Sequence, residues 1–217
     1  MYDKHFGFTE LPFSVTPDPR FLYNSQLYQE AFAVLRYGIE ARKGFIVIAG
    51  EAGTGKTTLL RTLMHSLSSN VHTAFIFNPR LRFTELLRLT LTDLGIPVST
   101  DNRLTMMGQL NDYLIEQVKS DDVVAVLIDE AQDLSDEMLE ELRLLSNLET
   151  DKEKLLQIVL MGQPELEWKL DQPKLRQLKQ RVAMRGRLLP LSRHEVGLYI
   201  ASRLKTAGYG GSELFAG

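Results

Sequence analysis

The chain has 217 residues, 44% of them apolar, and its 25 lysines and arginines stand against 28 aspartates and glutamates, for a net charge of -3 at pH 7. These values are typical of one large globular domain, or of one domain and the start of a second. The charge argues against a chain that coats nucleic acid by bulk electrostatics. Because the sequence has no cysteine, a disulfide framework, a thiolate zinc site and a cysteine nucleophile are excluded. It shows no secretory signal and no apolar run near the roughly 20 residues of a membrane span, so we expect a soluble, cytoplasmic chain.

Residues 1–24 are predicted to form an extended arm. Pro12, Pro17 and Pro19 fix φ and bias the residues before them toward extended geometry. The arm is rich in aromatic residues, so we expect it to pack on the domain. The next segment, "SQLYQEAFAVLRYGIEAR", has apolar residues at helical spacing, with Ser25 as its N-cap.

Strands and helices then alternate along the chain. The predicted strands are "FIVIAG" (45–50), "HTAFIFN" (72–78), "VVAVLID" and "LLQIVLMG" (155–162), with a weaker fifth strand near "RGRLLPL". Continuously apolar strands between helices indicate a parallel sheet covered on both faces. The sequence therefore predicts an α/β three-layer sandwich with a central, parallel, five-stranded sheet. A last helix, "HEVGLYIASRLKTAG", is expected to begin a second unit.

The stretch "GEAGTGKT" matches the phosphate-binding pattern G-x-x-x-x-G-K-[ST], with a strand before it and a helix after it. We expect its three glycines to adopt backbone angles forbidden to other residues, so that consecutive N–H groups turn toward a phosphate. The alternative, a turn that only packs tightly, does not account for the lysine and threonine. The predicted nucleotide-binding residues are Gly50, Glu51, Ala52, Gly53, Thr54, Gly55, Lys56, Thr57 and Thr58. Lys56 would contact the β- and γ-phosphates and Thr57 would ligate magnesium.

Two adjacent carboxylates, Asp129 and Glu130, follow the strand "VVAVLI". Ligand sites of parallel sheets lie at such strand ends, so Asp129 is predicted to hold Mg²⁺ together with Thr57. Glu130, one residue further, is predicted to be the general base that polarises a water. None of the four histidines has a partner at metal-ligand spacing, so no zinc site is predicted.

The stretches "FGFTELPFSVTPDPRFLY", "GEAGTGKTTLLR", "LIDEAQDLSDEMLEELRLLSNLET", "LLQIVLMGQPEL" and "LRQLKQRVAMRGRLLPL" together resemble the AAA+ ATPases of the general secretion pathway component A (ExeA/GspA) type. The resemblance covers nearly the whole chain. It implies a P-loop NTPase (AAA+) core over residues 25–191, behind the arm of residues 1–24. Residues 192–217 would be the start of a helical lid.

The resemblance implies further roles at three positions. Asn78 would restrain the catalytic glutamate, Gln163 would sense the γ-phosphate, and Arg181 would be an arginine finger for a neighbouring subunit. Strand-end amides that cap local backbone are the alternative for Asn78 and Gln163. For Arg181 the alternatives are a solvated charge, or Arg185 as the finger. A finger supplied in trans implies a ring or a dimer.

Two departures from the family pattern stand out. Tyr28 occupies a position that is commonly histidine in the family, on the side expected to contact adenine. The chain also ends at "SELFAG" without the "GG-x-P-R" stretch whose arginine senses nucleotide from the lid. We therefore expect either a longer natural protein or a trimmed chain, whose missing part could attach it to the inner membrane.

Seven basic residues and no acid lie between Lys174 and Arg193. This stretch is interpreted as a subunit interface, with "DLSDEMLEEL" as its acidic counterpart, or as a DNA-binding face like that of transposition-accessory AAA+ ATPases. A solvated face is the third interpretation. The interface is favoured because the chain is acidic and has no known DNA-binding motif. The overall prediction is an ATPase that supports assembly or transport of an envelope secretion, pilus or exopolysaccharide export system. A nucleotide-gated assembly module with little turnover remains the alternative.

Overall fold

The computed structural model describes residues 6–14, 19–21, 23–77, 80–150 and 153–211. Its centre is a sheet of five strands, β1 (Phe45–Gly50), β2 (Val71–Ile76), β3 (Val123–Ile128), β4 (Leu156–Gly162) and β5 (Val182–Leu188). The strand order is β2-β3-β4-β1-β5 and every neighbouring pair is parallel. The predicted five-stranded parallel sheet is confirmed.

Eight α-helices lie within the described residues: α1 (Gln26–Glu40), α2 (Lys56–Ser66), α3 (Phe83–Asp93), α4 (Arg103–Lys119), α5 (Asp136–Leu145), α6 (Pro164–Leu170), α7 (Arg176–Arg181) and α8 (Arg193–Thr206). Several begin at a side chain that accepts a hydrogen bond from the first turn. The Ser25 hydroxyl accepts from the N–H of Tyr28, which confirms the predicted cap of α1, and Ser135 caps α5 in the same way. No helix in the described part of the chain is both long and apolar enough to cross a membrane.

Two hydrophobic cores lie on opposite faces of the sheet. Alternate residues of each central strand face opposite cores because side chains in a strand alternate. On β3, Val124 and Val126 belong to the core under α3 to α6, whereas Ala125 belongs to the core under α1 and α2. The buried strands and the helices on both faces form the three layers that the sequence predicts.

The fifth strand begins earlier than "RGRLLPL" indicates. It starts at Val182 and ends at Leu188. The sequence did not show its first residues because β5 lies at an edge of the sheet and is covered on one face only, so it has no continuous apolar run. Gly186 packs toward α1, whereas Arg185 and Arg187 are exposed on the other face. The second strand ends at Ile76 rather than at residue 78.

The described part of the N-terminal arm packs on α8 and the turn after it. The N–H of Thr9 donates to the carbonyl oxygen of Ala207 at 2.9 Å, and Nε of Arg203 donates to the carbonyl of Pro12 at 2.5 Å. The Arg203 guanidinium lies 5.8 Å from the Phe13 ring centroid, within cation–π range. The arm therefore contacts the helix expected to start the lid.

Candidate functional site

The predicted phosphate loop follows β1, between β4 and β5, at the carboxyl edge of the sheet. Gly53 and Gly55 have φ of +79° and +92°, which side chains rarely tolerate. Gly50 does not lie in that region, so the prediction that its backbone angle requires glycine is wrong. Instead, a Cβ at Gly50 would lie 2.7 Å from the carbonyl oxygen of Leu188. Glycine is required there because β1 and β5 approach closely.

The loop leaves donors available at the start of α2. Thr54 closes a turn in which its hydroxyl donates to the carbonyl of Glu51 at 2.8 Å. Gly55 is the N-cap of α2 and supplies no side chain to the first N–H groups of the helix. Those N–H groups and the positive end of the helix dipole are suited to an anion.

Lys56 is buried, with 6% of its surface exposed. Its ammonium donates to the carbonyl oxygens of Gly50 and Glu51, at 2.8 and 3.0 Å. It forms no ion pair with a carboxylate of the described residues. The loop therefore holds a buried positive charge over its own backbone, which a phosphate would neutralise.

Thr57 and Asp129 come together as predicted. The Thr57 hydroxyl donates to Oδ2 of Asp129 at 2.7 Å, and Asp129 is 2% exposed at the end of β3. Cis oxygen ligands of an octahedral Mg²⁺ lie about 2.9 Å apart, and such ions are commonly bound by one or two carboxylates plus substrate phosphates. The oxygen pair therefore fits a magnesium ion. No group of three or more metal-ligating His, Asp or Glu side chains occurs in the described ranges.

Glu130 lies beside this pair in a left-handed backbone conformation, with φ of +51° and ψ of +37°. A non-glycine residue in this region stores strain, which is concentrated at functional sites. Its N–H donates to Oδ1 of Asp129 at 2.9 Å. Its carboxylate Oε2 accepts from Nε2 of Gln132 at 2.7 Å. The strained residue thus directs its side chain back toward the turn that follows it.

Gln132 is a site residue that the sequence analysis missed. It belongs to the 3-10 turn Ala131–Asp133, and its Oε1 accepts from the N–H of Gln163 at 3.0 Å. The only sequence signal is a polar residue two positions after Glu130, in "DEAQ". The turn that brings it back across the strand ends gives no periodic pattern.

The residues that the family resemblance assigns to γ-phosphate sensing and to the arginine finger lie at separate places in the fold. Gln163 is the N-cap of α6 at the end of β4, half-buried and at the same sheet edge as Asp129. Arg181 ends α7 and donates to the Ser146 hydroxyl of its own chain at 3.0 Å, whereas Arg185 is exposed on β5. Asn78 lies outside the described residues.

Four of the five acids of the expected acidic counterpart form ion pairs within the described part of the chain, whereas three of the seven residues of the basic stretch do so. Lys174 pairs with Asp136, while Lys179 pairs with Asp171 at 2.8 Å. Arg187 of the basic stretch forms an ion pair with Glu167. Glu141 of the acidic stretch forms an ion pair with Arg103. These pairs reduce the charge available to DNA or to a neighbouring acidic surface.

Two carboxylates, Glu140 of the acidic stretch and Asp171, have pKa values below their usual ones. The hydrogen bond from Arg143 holds the pKa of Glu140 below its usual value, and the charge of Arg181 adds to that effect. The hydrogen bond from Lys179 likewise lowers the pKa of Asp171.

Comparison with known proteins places this site in a family. Residues 39–170 match the model of the AAA domain. The chain is 46% identical over 209 residues to general secretion pathway protein A of Aeromonas hydrophila. That alignment covers 96% of this chain but 38% of the relative, so the chain spans well under half of the relative's length.

Solved structures share the fold at low identity. The ORC2 protein of Aeropyrum pernix, in its ADPNP–ADP complexes, superposes with a TM-score of 0.66 at 17% identity, over 92% of this chain and 56% of that one. The Drosophila ORC bound to DNA gives 0.64 at 20% identity, over 94% and 50%. The fold, the family match and the site agree: the chain belongs to the AAA ATPases, of the general secretion pathway protein A (ExeA/GspA) type.

Proposed function

We propose that the chain binds ATP with Mg²⁺ and hydrolyses it to ADP and phosphate. The observation that carries the proposal is the 2.7 Å hydrogen bond between Thr57 and Asp129, because it joins the helix start after the phosphate loop to the acid at the end of β3, a buried strand that β4 separates from β1. The loop residues 50–58 would bind the phosphates, with Lys56 at the β- and γ-phosphates. Magnesium, when bound, would neutralise charge on the phosphate oxygens.

Glu130 is the proposed general base. Its carboxylate would accept a proton from a water whose oxygen bonds to the γ-phosphorus, while the bond from that phosphorus to the β,γ-bridging oxygen breaks and ADP leaves. The strained conformation of Glu130 and its position beside Asp129 support this role. Gln163, at the end of β4, and Asn78 are proposed as residues that respond to the γ-phosphate.

Assembly into a dimer or ring is proposed through an arginine supplied in trans. Arg181 would have to exchange its bond to Ser146 for a neighbour's nucleotide, whereas Arg185 is already exposed. Light scattering with ADP or a slowly hydrolysed ATP analogue tests assembly. Growth in mass with the analogue alone supports it, and a monomer in every state contradicts it for this chain.

We further propose a duty in an envelope secretion system, at the cytoplasmic side of the inner membrane, because the Aeromonas relative is named a general secretion pathway protein. The division into an arm (1–24), a nucleotide-binding core (25–191) and the start of a lid (192–217) is proposed with it. DNA binding is the less favoured alternative, because the net charge of the chain is -3, three of the seven side chains of the basic stretch are paired within the described residues, and the likeness to a DNA-bound structure concerns the fold alone.

Phosphate release tests the enzymatic proposal. The parent should release phosphate from ATP only with magnesium, and Lys56→Ala should lose nucleotide binding altogether. Glu130→Gln should retain binding while turnover falls by about 10²-fold or more. Equal turnover in the parent and Glu130→Gln would remove Glu130 from its role. Assembly driven by ATP without measurable turnover would instead support the nucleotide-gated module.

A further inference from the structure

Gln132 connects two strand ends through a single side-chain amide. Its Nε2 donates to Oε2 of Glu130 at 2.7 Å, and its Oε1 accepts from the N–H of Gln163 at 3.0 Å. Glu130 follows β3 and Gln163 follows β4, two neighbouring strands of the sheet. A glutamine is suited to this place because its amide carries donors and an acceptor on one planar group.

The surroundings of Gln132 are built to hold that amide. A Cβ at Gly162 would lie 2.8 Å from Oε1 of Gln132 and 3.1 Å from its backbone nitrogen, so only glycine leaves room for the side chain. From α6, the Lys169 ammonium donates to the backbone carbonyls of Gln132 and Leu134, at 2.7 Å each. The backbone of the turn is therefore fixed independently of the side chain of Gln132.

We propose that Gln132 is a positioning residue that holds the Glu130 carboxylate in place by joining it to the backbone at the end of β4. This inference rests on the proposed role of Glu130 in hydrolysis. Because the bonded N–H belongs to Gln163, a shift at the end of β4 is passed to the carboxylate through two hydrogen bonds. Gln132 itself does not touch the reacting atoms.

The test uses Gln132→Met, which retains the length and packing of the side chain but can neither donate to Glu130 nor accept well from Gln163. We expect kcat for ATP hydrolysis to fall about tenfold or more, less than the loss of the base itself, while KM and nucleotide affinity are unchanged. Gln132→Glu, which replaces the donor with a carboxylate that repels Glu130 at this distance, should lose at least as much. Gln117→Met is the matched control, on α4 near the opposite edge of the sheet, and should retain the parental kcat.

A double variant separates positioning from a general structural effect. If Gln132 acts through Glu130, then Glu130→Gln combined with Gln132→Met should turn over at the rate of Glu130→Gln alone. Losses that multiply would overturn the proposal, as would a parental kcat in Gln132→Met. A parental rate in Glu130→Gln would instead contradict the proposed function, so the two failures are distinguishable.

Crystal structures provide a second measurement that does not depend on turnover. In the parent with an ATP analogue, the Gln132 amide should bond both the Glu130 carboxylate and the N–H of Gln163. In Gln132→Met, the carboxylate should leave its parental position. A carboxylate that keeps its position without the amide would overturn the proposal.

Discussion

Asp129→Asn should abolish magnesium-dependent nucleotide binding without weakening the fold. In the structure the Asp129 carboxylate is 2% exposed and accepts two hydrogen bonds, from Thr57 and from the N–H of Glu130. It forms no ion pair within the described residues. A buried, unpaired carboxylate costs several kcal/mol, whereas two charge-assisted hydrogen bonds contribute about 1.5–3 kcal/mol each.

Asparagine can retain both hydrogen bonds at this position. Its oxygen can accept from the Glu130 N–H, and its amide can donate to the Thr57 hydroxyl oxygen, at about 1 kcal/mol per bond. The bonds therefore weaken by about 1–4 kcal/mol in total, and the relieved burial offsets a similar or larger amount. We expect the free energy of unfolding without magnesium to be unchanged or raised by up to about 2 kcal/mol.

Thermal unfolding measures both effects. At about 2–4 °C per kcal/mol for a chain of this size, the variant in EDTA should melt at the parental temperature or a few degrees above it. With magnesium and ADP at a hundredfold excess over Kd, the parent should gain about 2.7 kcal/mol, whereas the magnesium-dependent part of the gain should vanish in the variant. Asp112→Asn, on the exposed face of α4, should match the parent throughout. A variant that melts well below the parent in EDTA, or that keeps the full magnesium response, would contradict the proposed role of Asp129.

Three further predictions concern the packing of the phosphate loop, the charge of Glu140 and the arginine finger. Gly50→Ala should lower the free energy of unfolding by about 1–3 kcal/mol, since its Cβ would lie 2.7 Å from the β5 backbone. The control Gly108→Ala, whose Cβ would meet nothing within 4 Å, should raise it by about 0.5–1 kcal/mol. Chemical denaturation measures both, and equal shifts would contradict the close approach of β5 to Gly50. Glu140→Gln should be less stable than the parent at pH 7 by under about 1 kcal/mol. Because its arginine partner lowers the pKa of Glu140 below the usual 4.5, the difference should be present above that pH and disappear as the pH falls through the lowered pKa; a difference that persists at low pH would show another cause. Arg181→Ala and Lys56→Ala should each be inactive, and their mixture should regain phosphate release if the arginine acts in trans. No recovery would contradict action in trans, and an active Arg181→Ala would leave Arg185 as the candidate.

The central strands and the phosphate loop could be predicted because each has a local signal. The strand that contains Val124 and Val126 is apolar on both faces, since helices cover both sides of the sheet. Gly50 and Gly55, followed by Lys56, occur at the spacing that a phosphate loop requires. The pairing of Thr57 with Asp129 followed from the rule that parallel strands end at one sheet edge.

What the sequence did not reveal depends on contacts between distant segments. The fifth strand was placed late because an edge strand with one exposed face carries alternating arginines rather than an apolar run. The close approach that requires glycine at position 50 comes from Leu188, far away in the chain. Gln132 and the arm's contact with Arg203 have the same origin, because a hydrogen bond across strand ends leaves no periodicity.

The most direct test of the proposed site is a crystal structure of the chain grown with magnesium and a slowly hydrolysed ATP analogue. We expect the phosphates to be bound by the N–H groups of residues 53–57 and by Lys56. We also expect a magnesium ion ligated by the Thr57 hydroxyl, and Glu130 facing a water near the γ-phosphate. Phosphates bound elsewhere, or a magnesium ion that contacts neither Thr57 nor Asp129, would contradict the proposed site.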